Sequence, residues 1–305
     1  MPTLDYVTLD VFTDKAFGGN PLAVIADARG LDGAAMQRIA AEFNYSETTF
    51  ILPPPDGSDC LASVRIFTPV EELPFAGHPN VGTAFHVARM SELFGRPVGD
   101  HFRFSEKAGV VDCRIRRDGK HISASIAAPR PLEIGQAVDP AIVAACASLS
   151  LSAIVSANHD PVFVSVGLPF PVAELGSLAE LAQARPNNAA FVEADERYHS
   201  ADDHFPLFLY VRLDGDPFKL RARMFAPLSN IPEDPATGSA AGALCAYLAS
   251  LMPERDGEVS FTVDQGVEMG RPSRIEVTVD KQGGAVGAVL LGGTCVEMMR
   301  GQLSF

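Results

Sequence analysis

The chain repeats itself, and a sequence that does so has to fold in a way that can be used twice. Residues 65–88 read RIFTPVEELPFAGHPNVGTAFHVA and residues 223–249 read RMFAPLSNIPEDPATGSAAGALCAYLA. Both give R-x-F-x-P, a spacer, E-x-P-x-x-G and then a helical run rich in small residues. The spacer is three residues longer in the second copy. Upstream, GNPLAV at 19–24 has a looser echo in GLPFPV at 167–172. Three matches in one order indicate a duplicated architecture.

Each copy reads as strand, turn and helix. SVRIF and LRARMF alternate as strands do, and Pro69 and Pro227 close them. In the first copy Gly77-His78-Pro79 opens the helix, with Pro79 expected at its first position and His78 as its cap. In the second, Gly238-Ser239 opens it, with Ser239 or Thr237 as cap. The run SAAGALCAYLASLM is apolar or small on every face, so something must wrap it. Strand patterns abound in both halves, among them YVTLDVF, TTFIL, FRFSE and HISASI, then VFVSV, FLYVRL, VSFTV and IEVTV. The expectation is an α+β protein of two similar units, each a curled sheet around a central helix. The proline-rich AAPRPLEIG at 127–135 is the linker candidate. This places the domains at 1–128 and 129–292, with a last strand near 293–305 returning to the first. Two equivalent helix N-termini would then face one cleft and favour an anion such as a carboxylate.

Charge narrows the partners. Lys plus Arg number 24 against 38 Asp plus Glu, a net charge of −14. Such a surface repels nucleic acid and anionic membranes, yet leaves room for a small anionic substrate in a locally positive site. The start, MPTLDYV, carries no secretory signal pattern. The weakly polar stretch 137–157 reads as a helix from Pro140 capped by Asp139, then a strand, and not as a membrane span. Five scattered cysteines with no CxxC pair fit a reduced, cytoplasmic protein.

Glu47, at the mouth of the strand TTFIL, is an awkward place for a charge. Burial beside it would tune it for acid/base work. The corresponding stretch of the second half is read as 185–194, which puts Asn188 or Ala189 opposite and makes the acid no part of the repeated scaffold. Asp234 is likewise asymmetric, since Leu73 fills its place in the first copy. An imidazole at His78 could bind a substrate or share its proton. No metal-binding, phosphate-loop or dinucleotide fingerprint occurs, and the TGSAAG spacing is not a nucleophile elbow. The sequence therefore offers no cofactor and no metal site.

AFGGNPLAV, NYSETTF, FTPVEELPFAGHPNVGTA, EDPATGSAAGAL and GVEMGRPSRI together resemble the PhzF family of phenazine-biosynthesis-like proteins. The resemblance runs from residue 16 to 275. It implies the diaminopimelate epimerase-like fold, with two pseudo-two-fold related domains. It also implies a homodimeric isomerase without cofactor, similar to trans-2,3-dihydro-3-hydroxyanthranilate isomerase. By the same resemblance Glu47 is the essential acid/base, His78 and Asp234 assist it, and Ser46, Gly77, Gly238 and Ser239 contact the substrate. Epimerases of the wider superfamily carry a cysteine before the glycine of each helix; here those positions are Ala76 and Thr237. That argues against an amino-acid epimerase or racemase. Intact Glu47, His78 and Asp234 argue against a non-catalytic metabolite binder.

Overall fold

In the computed structural model, which describes residues 3–119, 121–198, 204–213 and 216–304, the repeated motif is a strand, a short returning strand and a buried helix in each half. The first half carries β1 (Thr3–Val11), β2 (Asn20–Ile25), β3 (Glu47–Leu52), β4 (Ala62–Phe67), β5 (Glu72–Leu73), β6 (Glu92–Leu93), β7 (Arg96–Pro97), β8 (His101–Glu106), β9 (Gly109–Asp118) and β10 (His121–Ala127). Its helices are α1 (Gly33–Phe43) and α2 (Gly77–Val87). The second half carries β11 (Glu133–Ala137), β12 (Ile154–Val155), β13 (Val162–Ser165), β14 (Pro169–Leu175), β15 (Leu207–Leu213), β16 (Asp216–Ala226), β17 (Ile231–Asp234), β18 (Gly257–Gln265) and β19 (Ser273–Gln282). Its helices are α3 (Pro140–Cys146), α4 (Leu178–Gln183), α5 (Asn188–Tyr198) and α6 (Gly238–Ser250), and β20 (Ala285–Ser304) ends the chain. Two compact units result, Met1–Pro129 with Leu290–Phe305, and Arg130–Val289.

In the first unit the strands close on themselves in the circuit β1-β2-β3-β4-β8-β9-β10-β20 and back to β1. Helix α2 runs inside, with every residue from Gly77 to Val87 buried. Gly82 explains why the helix can lie so close: a Cβ there would meet Leu22 Cδ2 at 2.5 Å and Val11 Cγ2 at 2.7 Å. The outer face of β2 and β3 is covered instead by α1, through Met36, Ile39 and Ala40 against Ile25 and Phe50.

The second unit repeats the pairing steps. β1-β2, β3-β4 and β8-β9 are antiparallel while β2-β3 and β4-β8 are parallel. β13-β14, β15-β16 and β18-β19 are antiparallel while β14-β15 and β16-β18 are parallel. Helix α6 is buried from Gly238 to Ala249. Each parallel step needs a crossover helix: α1 for β2-β3 and α4–α5 for β14-β15, then the central helices α2 for β4-β8 and α6 for β16-β18. α3 begins at Pro140 with the Asp139 carboxylate accepting from Ala141 N–H, as expected. Among the described residues no helix is long and apolar enough to cross a membrane.

Strand pairing corrects one alignment. Val24 lies opposite Thr49, and its counterpart Val172 lies opposite Phe208. Glu47 therefore corresponds to Pro206. The stretch 185–194 leads instead into α5, which begins at Asn188. The inference survives, because proline is no acid either.

The conserved pattern of the two copies has a physical cause within this one chain. Arg65 grips Glu72 with two bonds of 2.7 and 2.9 Å, and its guanidinium lies 5.0 Å from the Phe67 ring. Arg223 grips Glu233 with two bonds of 2.8 Å, and lies 4.9 Å from the Phe225 ring. In each unit this pair ties the short returning strand to the long one, immediately before the buried helix. Arg223 also donates to the carbonyls of Leu181 and Ala184 at the end of α4.

The two clamps should differ in cost. The Arg223 side chain is 4% exposed and the Arg65 side chain 33%. Arg223→Ala strands a half-buried glutamate and two carbonyls, so urea unfolding should show a loss of about 3 kcal/mol. Arg65→Ala, better solvated, should lose about 1 kcal/mol or less. Equal losses would show that burial does not set the strength of the clamp.

Candidate active site

Helix α1 ends at Asn44, whose left-handed backbone (φ 51°) lets its N–H return to Ala40 O. Asparagine adopts that conformation readily. The chain then turns through Tyr45 and Ser46 into β3, whose first residue is Glu47. Alternation along β3 sends Glu47 and Thr49 to the same face. That face is the inner one, because Thr83 of α2 donates to the Thr49 hydroxyl at 2.9 Å. Glu47 thus stands inside the mouth of the barrel, at the end where α2 begins. Its Oε2 is 3.3 Å from His78 Nδ1, with the two side chains 14% and 5% exposed. Ser46 Oγ reaches Asn20 Oδ1 at 3.5 Å.

His78 is not the cap of its helix. Ala76 holds the N-cap position of α2 and no side chain caps it. His78 is the second helical residue and Pro79 the third, where a missing N–H costs nothing. Burial lowers the His78 pKa to about 3, against an opposing bond to the Pro21 carbonyl. The imidazole is therefore neutral near pH 7, and its contact with Glu47 is not an ion pair. Its Nε2 is buried and has no protein partner among the described residues.

In the second unit Asp234 ends β17 and is buried. Thr237 occupies the N-cap position of α6 without capping it. Its hydroxyl instead donates to Asp234 Oδ2 at 2.5 Å. Gly238 and Ser239 follow as the first helical residues, both buried. Gln265, at the end of β18 and fully buried, locks this turn. Its Oε1 accepts from Thr237 N–H at 3.0 Å, and its Nε2 donates to Asp234 O at 2.8 Å and to Thr237 Oγ1 at 3.0 Å. Gly266 next to it must be glycine: φ is +71° and a Cβ would sit 2.5 Å from the Pro235 and Arg271 carbonyl oxygens. The glycine-rich stretch 265–273 is the turn between β18 and β19, and Gln265 at its start is what holds the entrance to α6.

The structure thus brings Glu47, His78 and Ser46 together beside the N-terminus of α2 at Gly77, and Asp234, Gly238 and Ser239 together at that of α6. Gln265 and the clamping role of Thr237 were not foreseen. A glutamine at a strand end carries no sequence signal, and only the strand pairing shows what it faces.

The comparisons with known proteins agree with the fold. The family described as phenazine biosynthesis-like protein matches residues 9–301. An uncharacterised isomerase of Mesorhizobium japonicum is 37% identical over 99% of this chain and 99% of its own length. The trans-2,3-dihydro-3-hydroxyanthranilate isomerase of Pseudomonas fluorescens is 35% identical over 98% of this chain and 99% of its own. The crystal structure of a Bacillus anthracis phenazine biosynthesis protein of the PhzF family matches with a TM-score of 0.87 at 23% identity, covering 100% of both chains. The fold is the expected diaminopimelate epimerase-like one, of α+β class.

Acid should weaken the first unit through α2. His78 and His86 are both held low by burial, to about 3 and about 4, from 6.5. The unfolded chain takes up those protons first, so their contribution to stability is complete above pH 6.5 and is lost as pH falls toward 4 and 3. Nitrogen-15 NMR of the His78 ring should show neutral imidazole unchanged from pH 8 down to about 5. Protonation with a midpoint near 6.5 would refute the neutral contact.

Proposed function

This chain belongs to the phenazine biosynthesis-like family, and from that premise we propose that it is an isomerase needing no cofactor, which shifts a proton within a small unsaturated or cyclic carboxylic acid. The observation that carries the reading is the buried contact of Glu47 with a neutral His78 at 3.3 Å. A carboxylate there takes a proton from a substrate carbon made acidic by neighbouring unsaturation. The electron pair moves through the conjugated system, and protonated Glu47 returns the proton to another carbon of the same molecule. Atoms and charge balance with no other reactant.

His78, neutral, does not compete for the proton that Glu47 carries. Its buried Nε2 is available to a substrate group. Asp234, an assisting residue by the family resemblance, is held by the Thr237 hydroxyl. Ser46, Gly77, Gly238 and Ser239 supply hydroxyl and backbone contacts, and the uncapped N-termini of α2 and α6 suit a carboxylate. The likeness to trans-2,3-dihydro-3-hydroxyanthranilate isomerases supports this substrate class. An epimerase using paired thiols is disfavoured: Ala76 and Thr237 stand at the two helix starts, and the Thr237 hydroxyl is committed to Asp234. The setting we propose is a cytoplasmic homodimer, on the resemblance and on five free thiols.

The test is deuterium uptake in D2O, followed by NMR, over a panel of unsaturated amino and hydroxy acids that includes trans-2,3-dihydro-3-hydroxyanthranilate. Glu47→Gln should fold and lose exchange by about 10²–10⁴. Asp234→Asn and His78→Ala should lower turnover more than they lower stability. Exchange at the wild-type rate by Glu47→Gln would remove Glu47 from the reaction.

A further inference from the structure

Glu106 ends β8 and is the counterpart of Gln265. Ser63 pairs with Ser105 across β4-β8, and Arg221 pairs with Asp264 across β16-β18. Since Arg65 corresponds to Arg223, Ser63 corresponds to Arg221, and the next residues along are Glu106 and Gln265. In the second unit that position holds the turn leading into the central helix, by one accepted bond and two donated ones. The first unit has the same turn and the same helix, yet puts a carboxylic acid there.

Both carboxyl oxygens of Glu106 are buried and have no hydrogen-bond partner of normal geometry among the described residues. The polar side chain that acts on it is Asn80 of α2. Asn80 is fully buried, and its Nδ2 donates to Ala76 O, the N-cap carbonyl of α2, at 3.0 Å. Its Oδ1 is buried and lacks a donor. Three buried acceptor atoms on two interacting side chains thus lack a donor of normal geometry. A proton on Glu106 would supply one: its O–H would donate to Asn80 Oδ1 while its other oxygen faces the amide N–H, and Nδ2 would stay on Ala76 O. An ionised Glu106 would leave Asn80 Oδ1 without a donor and draw Nδ2 away from Ala76 O.

We propose that Glu106 is a positioning residue, a buried neutral carboxylic acid that, through Asn80, fixes the turn Ala76–Gly77 and so sets His78 against Glu47. It does in the first unit what the Gln265 amide does in the second. Burial raises the Glu106 pKa from 4.5 to about 8, against a smaller effect of Asn80. Among the neighbouring groups, Cys113 on β9 feels Glu106, Asp112 and Cys60, and burial pushes its own thiol up. Lys107, next in the chain, acts on Glu72. No Lys or Arg among the described residues offsets a charge on Glu106. The folded state keeps a proton that the unfolded chain releases. The associated stability is therefore complete below pH 4.5 and is lost as pH rises to about 8.

The proposal rests on the isomerase reading for its kinetic test only. The first measurement is a carbon-13 titration of glutamate side-chain carboxyls, with Glu106 assigned by the signal lost in Glu106→Gln. A midpoint near 8 is expected, and one below about 6, nearer the ordinary glutamate range, overturns the proposal. Melting temperatures should agree, Glu106→Gln gaining on the wild type as pH rises from 4.5 to 8. The second measurement is deuterium exchange into trans-2,3-dihydro-3-hydroxyanthranilate as a function of pH. Wild-type kcat should fall above about 8. Glu106→Gln should keep the kcat and lose that fall, and Glu106→Ala should lose about tenfold or more in kcat at every pH. A Glu106→Gln variant as impaired as Glu106→Ala overturns the proposal. Absence of exchange by the wild type counts against the isomerase reading on this substrate, and the titration then decides on Glu106 alone.

Discussion

A helix with no polar face can be buried on every side, but it still has to begin. Both units depend on the turn that delivers α2 or α6 into its wrapping of strands. The free N–H groups of the first helical turn cannot be left to chance there, nor can the carbonyls just before them. Here the first device is the guanidinium of Arg65 or Arg223, which takes both oxygens of Glu72 or Glu233 and lies over a phenylalanine two residues along. Planar, two-point recognition of this kind fixes orientation as well as distance. A lysine in the same place would hold the charge and not the angle. The second device, in the second unit, is Gln265 at the end of β18, which secures the backbone between the clamp and the helix.

What the duplication keeps is the scaffold, and what it varies is the chemistry laid on it. Equivalent positions hold Glu47 and Pro206, Leu73 and Asp234, Ala76 and Thr237, His78 and Ser239, and Glu106 and Gln265. None of these exchanges alters a strand step or shortens a helix. Each changes a donor, an acceptor or a titratable group at the same end of the same element. An asymmetric pair of helix starts can therefore be built on a symmetric pair of frames.

Much of the frame was legible because it rests on periodicity and on small residues. The run SAAGALCAYLASLM has no polar face, and burial of α6 follows from that alone. The motif spacing located both strand-to-helix turns, and Asp139 with Pro140 marked the start of α3. Two things were not legible. Pro79 and His78 were assigned to the first position and the cap by local preference, but the backbone begins the helix two residues earlier, with Ala76 as N-cap and Gly77 first. Local preference loses there because other side chains hold the turn: Asn80 of the same helix takes the Ala76 carbonyl in one unit, and Gln265 of β18 takes the Thr237 N–H in the other. The counterpart of Glu47 was also misplaced, since the crossover helices of the two units differ in length and number, and only the register of the parallel strands restores the match.

The surroundings of Glu47 can be understood through what burial does to the other ionisable groups of its unit. His78 is held to about 3, His86 to about 4 and Glu106 up at about 8. One cause, loss of water, drives all three, and it drives histidine and glutamate alike toward the uncharged form. Near neutral pH all three are therefore predominantly uncharged, and none adds a charge of its own to the inside of the unit. Along the inner face of β3 exposure falls from 14% at the Glu47 side chain to none at Thr49. A group whose work is to gain and lose a proton needs enough contact with water to tolerate its charged form, and enough enclosure to keep the proton for the substrate. On this strand the mouth is where both conditions hold, which gives a physical reason for a glutamate at the first residue and hydroxyls at the two that follow.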